Sequence, residues 1–259
     1  MGADRPSVAA PAAAARGVEP VVLAVTRVAT FDGTRPLTQA SGFFFERDER
    51  LYLVTSRHVV IDRPTNHRPD RIEIELHLHP SDMTRVTGFS IPLYRAGRSV
   101  WHQGTDSGGE IDVAAIELER AALPPDTQIQ AFTTEHLLPS LEGVDLGHQL
   151  VVPCFPLSFH DTVHHLPIAR QAALASSLGL RFQGHGYFLT DARMHRGASG
   201  APVLLHGPRP RSAEEPLPWV LLGVHSARMD MAGRDGLQDE ALGLNCAWYA
   251  DILLTLTEP

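Results

Sequence analysis

Arg196-Gly197-Ala198-Ser199-Gly200-Ala201-Pro202-Val203 sets one hydroxyl between two glycines just ahead of an apolar run. Small neighbours let the backbone N–H groups of Gly197 and Ser199 converge on one point, and Gly197 can take a backbone angle that other residues resist. A strand is expected from Pro202. Earlier in the chain, Leu53-Val54-Thr55-Ser56-Arg57-His58-Val59-Val60 ends a strand and presents His58. Between the two, Gly109-Glu110-Ile111-Asp112-Val113-Ala114-Ala115-Ile116 puts one carboxylate inside an apolar segment. A buried carboxylate is costly unless it is hydrogen-bonded, and an imidazole N–H is a natural partner for Asp112. Acyl transfer at neutral pH needs a nucleophile, a base beside it, a group that orients the base, and donors for the oxyanion. The three stretches hold a candidate for each part.

Around them the chain reads as short strands. Val21–Val25, Phe43–Phe45, Leu51–Val54, Leu150–Val152, Tyr187–Leu189, Pro202–Leu205 and Val220–Val224 are short apolar runs, and Phe182 is grouped with them. Ile72–Leu78 alternates apolar and polar with period two, as a half-buried strand does. With 21 Gly and 20 Pro, turns are many and long helices few. Only Trp248–Leu256 has helix character, and it is expected to dock on the second half. Many short strands between turn signals point to an all-β barrel or sandwich architecture.

The 259 residues, 43% hydrophobic and 20% charged, suit one large or two small globular domains. The net charge is −8, and all 22 basic residues are scattered Arg. Nucleic-acid surfaces need a basic stripe, so no nucleic-acid partner is expected. No run of about 18 apolar residues occurs, so no membrane span is expected. Two cysteines, Cys154 and Cys246, fit a reducing compartment with both thiols free, hence a cytoplasmic location. Residues 1–19 are rich in Ala and Pro, with Asp4 beside Arg5; they read as a disordered tail and not as an export signal.

The segments GFFFERDERLYLVTSRHVV, EIDVAAIEL, and RGASGAPVLL with the later LLGVHSA resemble the His, Asp and Ser regions of the trypsin-like (chymotrypsin-fold) serine peptidases, in that order. LPIARQAALAS and YFLTDARMHRGASGAPV are similar to the second barrel of bacterial, disulfide-free members. The likeness covers roughly residues 20–257. It implies two six-stranded antiparallel β-barrels with a C-terminal helix: residues 20–130 carrying His58 and Asp112, and residues 131–259 carrying Ser199. It implies a serine endopeptidase hydrolysing peptide bonds through an acyl-enzyme. Ser199 would be the nucleophile, His58 the base, Asp112 the orienting acid, and the N–H groups of Gly197 and Ser199 the oxyanion hole. Gly223-Val224-His225-Ser226 resembles the specificity strand of glutamyl endopeptidases. That implies substrate binding by His225 and Ser226, with Arg193 and Arg196 adding charge for an acidic side chain. Two departures matter. Ala198 stands where animal enzymes have Asp, and no Ile-Val-Gly-Gly start exists. Activation by a freed N-terminus is therefore not expected; the site is preformed or is ordered by something else, such as an activating partner protein. The alternative is a latent or inactive module that binds a peptide or protein.

Other signals are set aside. Thr105-Asp106-Ser107-Gly108-Gly109 looks like a nucleophile turn but lacks a glycine two places before its serine, and reads as a loop leading to Asp112. Among the 14 histidines, His77 and His79 share a strand face and His164-His165 are adjacent. Neither pair has a Cys or carboxylate at metal-ligand spacing. They are expected to be surface histidines, with no metal and no cofactor. The Pro- and charge-rich segment 206–218 reads as a solvated hairpin loop.

Overall fold

The computed structural model describes residues 17–207, 217–228 and 242–258. The expected tail, residues 1–19, and the expected loop, 206–218, lie largely outside them.

The first half contains β1 (Val25–Asp32), β2 (Arg35–Arg47), β3 (Arg50–Thr55), the single helical turn α1 (Arg57–Val60), β4 (Arg71–His77) and β5 (Val86–Pro92). A small hairpin follows, β6 (Tyr94–Arg95) with β7 (Arg98–Ser99), then β8 (Trp101–Asp106) and β9 (Gly109–Leu118). The main sheet runs β5-β4-β1-β2-β3-β9-β8. β10 (Phe132–Thr133) adds to β2 in parallel. Among the described residues no ladder joins β5 to β8. The sheet nevertheless wraps: Ile91 of β5 and Trp101 of β8 enter one core with Phe44, Leu53, Ile74 and Ile116.

The second half is a closed antiparallel barrel. Its strands are β11 (Gln149–Cys154), β12 (Ile168–Leu174), β13 (Tyr187–Asp191), β14 (Pro202–His206), β15 (Trp219–Arg228) and β16 (Leu244–Tyr249), joined in the order β11-β12-β13-β16-β15-β14. Its interior holds Leu150, Val152, Phe188, Val203, Leu222 and Ala247. Between the halves lies a third core, including Phe43, Phe45, Tyr52, Val113, Phe132, Leu204, Val224 and Trp248.

This arrangement explains why the central strands read as unbroken apolar runs. Side chains alternate between the two faces of a strand. Phe44 enters the first core while Phe43 and Phe45 enter the shared one. In β14, Val203 and Leu205 line the barrel while Leu204 faces the first half. Phe43 and Phe132 meet edge to face at 5.8 Å between ring centroids. Replacing such a buried Phe by Ala costs about 3–5 kcal/mol.

Four expectations are corrected. Val21–Ala24 is part of a 3-10 turn over Pro20–Ala24, not strand; Pro20 has no N–H to give a ladder. Phe182 begins another 3-10 turn. Trp248 and Tyr249 end β16, because the barrel closes only if Trp248 pairs with Tyr187 on one side and Val224 on the other. The last helix, α2 (Ile252–Leu256), is five residues long. It docks on the first sheet rather than on the second barrel: His102 Nδ1–H donates to the Leu256 carbonyl at 2.8 Å.

Candidate active site

β3 pairs with β9 so that Thr55 stands opposite Ala114. Extending that register past the end of β3 sets Asp112 beside α1. Val59 and Val60 of α1 are buried in the first core, which turns His58 outward. Asp112 Oδ2 lies 2.7 Å from His58 Nδ1, and Asp112 Oδ1 accepts the His58 backbone N–H at 2.8 Å. Ser226 Oγ also donates to Asp112 Oδ2. Burial pulls the His58 pKa down, but the hydrogen bond and charge of Asp112 outweigh it and hold His58 above the ordinary 6.5. Burial pushes Asp112 up, but His58 and Ser226 bring its carboxyl below the usual range. The pair fixes the ring with Nδ1–H toward Asp112, leaving Nε2 to face the other way as a base.

Ser199 sits in the turn before β14. Gly197 has φ +93°, and a Cβ there would stand 2.5 Å from the Phe155 carbonyl oxygen. Two bonds fix the direction of the turn's donors. The Arg196 carbonyl accepts from Leu157 N–H at 2.6 Å, and the Ala198 carbonyl accepts from Ala201 N–H at 3.0 Å. In a trans peptide the C=O and the following N–H point oppositely. The N–H groups of Gly197 and Ser199 are thereby turned away from those partners, and neither donates a hydrogen bond among the described residues. The peptide between them is held from the other half of the molecule. Ser41 Oγ donates to the Gly197 carbonyl at 2.8 Å and accepts from Phe155 N–H at 3.0 Å, while Ser41 N–H donates to the Ser199 carbonyl at 2.9 Å. Ala198, in the place where a charged partner was missed, is fully buried in the barrel core.

His58, Arg196, Gly197 and Ser199 line one cavity of about 1500 Å³, whose walls include Arg27, Gln39, Glu75, Leu157 and His165. No hydrogen bond joins Ser199 Oγ to His58 among the described residues. The remaining expected residues are placed differently. Ser226 is on the acid, not in the cavity. Arg193 is exposed and does not line the cavity. His225 is 3% exposed, and burial, then the nearby His58, push its pKa down to about 4. Its backbone carbonyl accepts Gly200 N–H at 2.7 Å and its side-chain Nδ1 has no partner.

Asp106, in the turn set aside above, caps the β8–β9 hairpin at Gly108 N–H and binds Arg181 at 2.8 Å. The histidine expectation is corrected. His77 is buried, with Nε2–H on the His164 carbonyl at 2.7 Å. His164 finds Asp161 at 2.7 Å and His165 finds Glu75 at 3.4 Å, carboxylates that the fold brings near. Both cysteines are free.

Ser41, Thr55 and Leu157 were not picked out from the sequence. Thr55 Oγ1 donates to the Ser41 carbonyl at 2.8 Å. The only hint was the small-residue pair Ser41-Gly42 ahead of three phenylalanines.

No family model matches the chain, and no curated protein matches it. Solved structures do. One is an HtrA-type protease, AlgW, in a serine-to-alanine variant with tripeptide, 17% identical over 90% of this chain and 58% of that one, with TM-score 0.50. Another is a serine endoprotease from Yersinia pestis, 14% identical over 90% of this chain and 61% of that one, with TM-score 0.49. A third is the Rv3671c protease from M. tuberculosis in its active form, 14% identical over 100% and 96%, with TM-score 0.48. The chain spans about three fifths of the length of the first two. At such identity the first likeness bears on the fold, which is the chymotrypsin-like all-β fold.

Proposed function

We propose that the chain is a serine endopeptidase of the disulfide-free, trypsin-like kind, with Ser199 as nucleophile, His58 as base and Asp112 as orienting acid. The observation that carries the reading is the half-buried Asp112–His58 pair opening onto the same cavity as a serine flanked by two undonated N–H groups. Substrate would lie in the groove with its scissile carbonyl against Ser199. His58 Nε2 takes the hydroxyl proton as Oγ attacks, and Asp112 stabilises the imidazolium. The oxyanion forms against the Gly197 and Ser199 N–H groups. His58 then returns the proton to the leaving amine, and water repeats the sequence on the acyl-enzyme. Loss of one such oxyanion donor costs about 2.7–4 kcal/mol. The absent hydrogen bond between Ser199 and His58 does not oppose this, because such bonds tighten when substrate binds.

An acidic preference in the residue before the cut rests on one observation, the partnerless buried Nδ1 of His225. The ring is neutral near pH 7, so it offers a carboxylate a hydrogen bond and not a standing charge.

A fluorophosphonate probe should label the wild type and leave Ser199→Ala unlabelled, with casein hydrolysis following the same pattern. A wild type that neither labels nor cleaves, while folded, overturns the proposal.

A further inference from the structure

On the wall of the same cavity, Glu75 of β4 meets His160 and His165 from the turn between β11 and β12. One ligand atom from each lies within 4.8 Å of the other two. We infer that this trio is a binding site for a zinc-class divalent cation, clamping the first sheet to the second barrel beside the groove.

Three features of the side chains point to a ligand. Glu75 Oε2 and His165 Nδ1 are buried and have no hydrogen-bond partner among the described residues. Buried polar atoms are rarely left so; among the described residues Oε2 has no partner at all, and His165 Nδ1 has only Glu75 Oε1 at 3.4 Å, without hydrogen-bond geometry. His160 donates its Nδ1–H to the Ser158 carbonyl at 2.5 Å, which leaves Nε2 as its donor atom. A backbone carbonyl on the far ring nitrogen is the support that metal-bound histidines ordinarily have. The donor set, two imidazoles and one carboxylate, suits Zn²⁺, whereas Ca²⁺ and Mg²⁺ take oxygen cages.

Tetrahedral Zn²⁺ with ligands at about 2.0–2.1 Å needs donors roughly 3.4 Å apart. His165 Nδ1 and Glu75 Oε1 are already 3.4 Å apart. The wider spacing must be closed by His160, on a segment whose neighbours Phe159 and Val163 are exposed, so little packing resists the shift. Without a metal, Glu75 is neutralised by Arg27, 2.5 Å from Oε1. Arg27 also reaches Gln39 Oε1 at 3.5 Å, an alternative partner when a cation takes Glu75.

The test uses the full chain, stripped with chelator and titrated with Zn²⁺ against a chromogenic competitor. One equivalent should bind and raise the melting temperature. Loss of a group that merely supports a ligand costs about 10–100-fold in affinity; His160→Ala and His165→Ala, each removing a ligand, should weaken binding at least tenfold. His164→Ala, whose ring serves Asp161, should bind as wild type does. No binding overturns the inference. So does binding that survives both ligand substitutions, falls equally in His164→Ala, or prefers Ca²⁺. Peptidase activity enters none of these readouts, so this inference and the proposed function stand or fall separately.

Discussion

Removing the Ser41 hydroxyl should damage turnover far more than substrate binding. Ser41 is fully buried, and its Oγ holds the Gly197 carbonyl and the Phe155 N–H together. In Ser41→Ala both groups lose this hydrogen-bond partner. A buried group left unpaired costs about 1–3 kcal/mol, so roughly 2–6 kcal/mol is at stake if nothing relaxes. The peptide between Gly197 and Ala198 escapes that cost by turning, and it is the link between the two oxyanion donors. If turning it disables one donor, the loss is about 2.7–4 kcal/mol of transition-state stabilisation, or 10²- to 10³-fold in kcat. KM should change little, since the oxyanion exists only past the ground state. The assay is kcat and KM on a peptide amide well below the melting temperature. Burst labelling with a fluorophosphonate counts the folded sites. A folded Ser41→Ala protein with kcat within twofold of wild type would refute the claim that this hydroxyl sets the donors.

Ser226→Ala removes a donor from Asp112; hydrogen bonds to charged groups are worth about 1.5–3 kcal/mol, so kcat should fall tenfold to a hundredfold, and an unchanged kcat would contradict the assignment. His58 must be neutral to act as base, and its pKa is raised above 6.5, so the acid limb of kcat/KM should have its midpoint above 6.5. Asp112→Asn should move that midpoint down and cut kcat about 10⁴-fold, as loss of the orienting acid does in such triads. The lowered pKa of Asp112 contributes stability present above its unfolded value of 3.8 and lost as pH falls through the folded value, so Asp112→Asn should flatten the acid side of a melting-temperature profile. Gly200→Ala should fail to fold or melt far lower, because its Cβ would stand 2.2 Å from the Ser41 carbonyl oxygen at φ +85°; a wild-type melting curve would contradict the packing. If His225 reads an acidic side chain, a bound carboxylate favours its protonated form, which grows scarcer above its pKa of about 4. Preference for Glu over Gln should then decline from pH 5 to pH 8 in a peptide-library digest, and a flat preference would separate His225 from that choice.

His58, Asp112 and Ser199 stood out as candidates because each lies in a short local pattern: a β-run that stops, a carboxylate among apolar residues, a serine between glycines. The strands of the central sheets were legible as apolar runs because both their faces are buried. What escaped depends on distant parts of the chain. Ser41 matters through one hydroxyl that reaches Gly197 across 156 residues. Leu157 matters through its N–H, which no side chain reveals. Trp248 and Tyr249 resembled the start of a helix, yet pairing on both sides makes them strand. Glu75 and His165 stand 90 positions apart in the chain, so no spacing rule could join them. Ser226 was noticed for the wrong task, since register places its hydroxyl on Asp112 instead of in the groove.

The docking of α2 onto the first sheet bears on how a nascent copy comes to life. During translation, His58 and Asp112 leave the ribosome well before Ser199, and the strand and helix that seal both halves emerge later still. A growing chain could fold its first sheet early, yet the hydrophobic end of that sheet stays uncovered until residues 252–256 are made. A chain stalled before that point should expose this apolar end and be more prone to aggregation and proteolysis than the finished one.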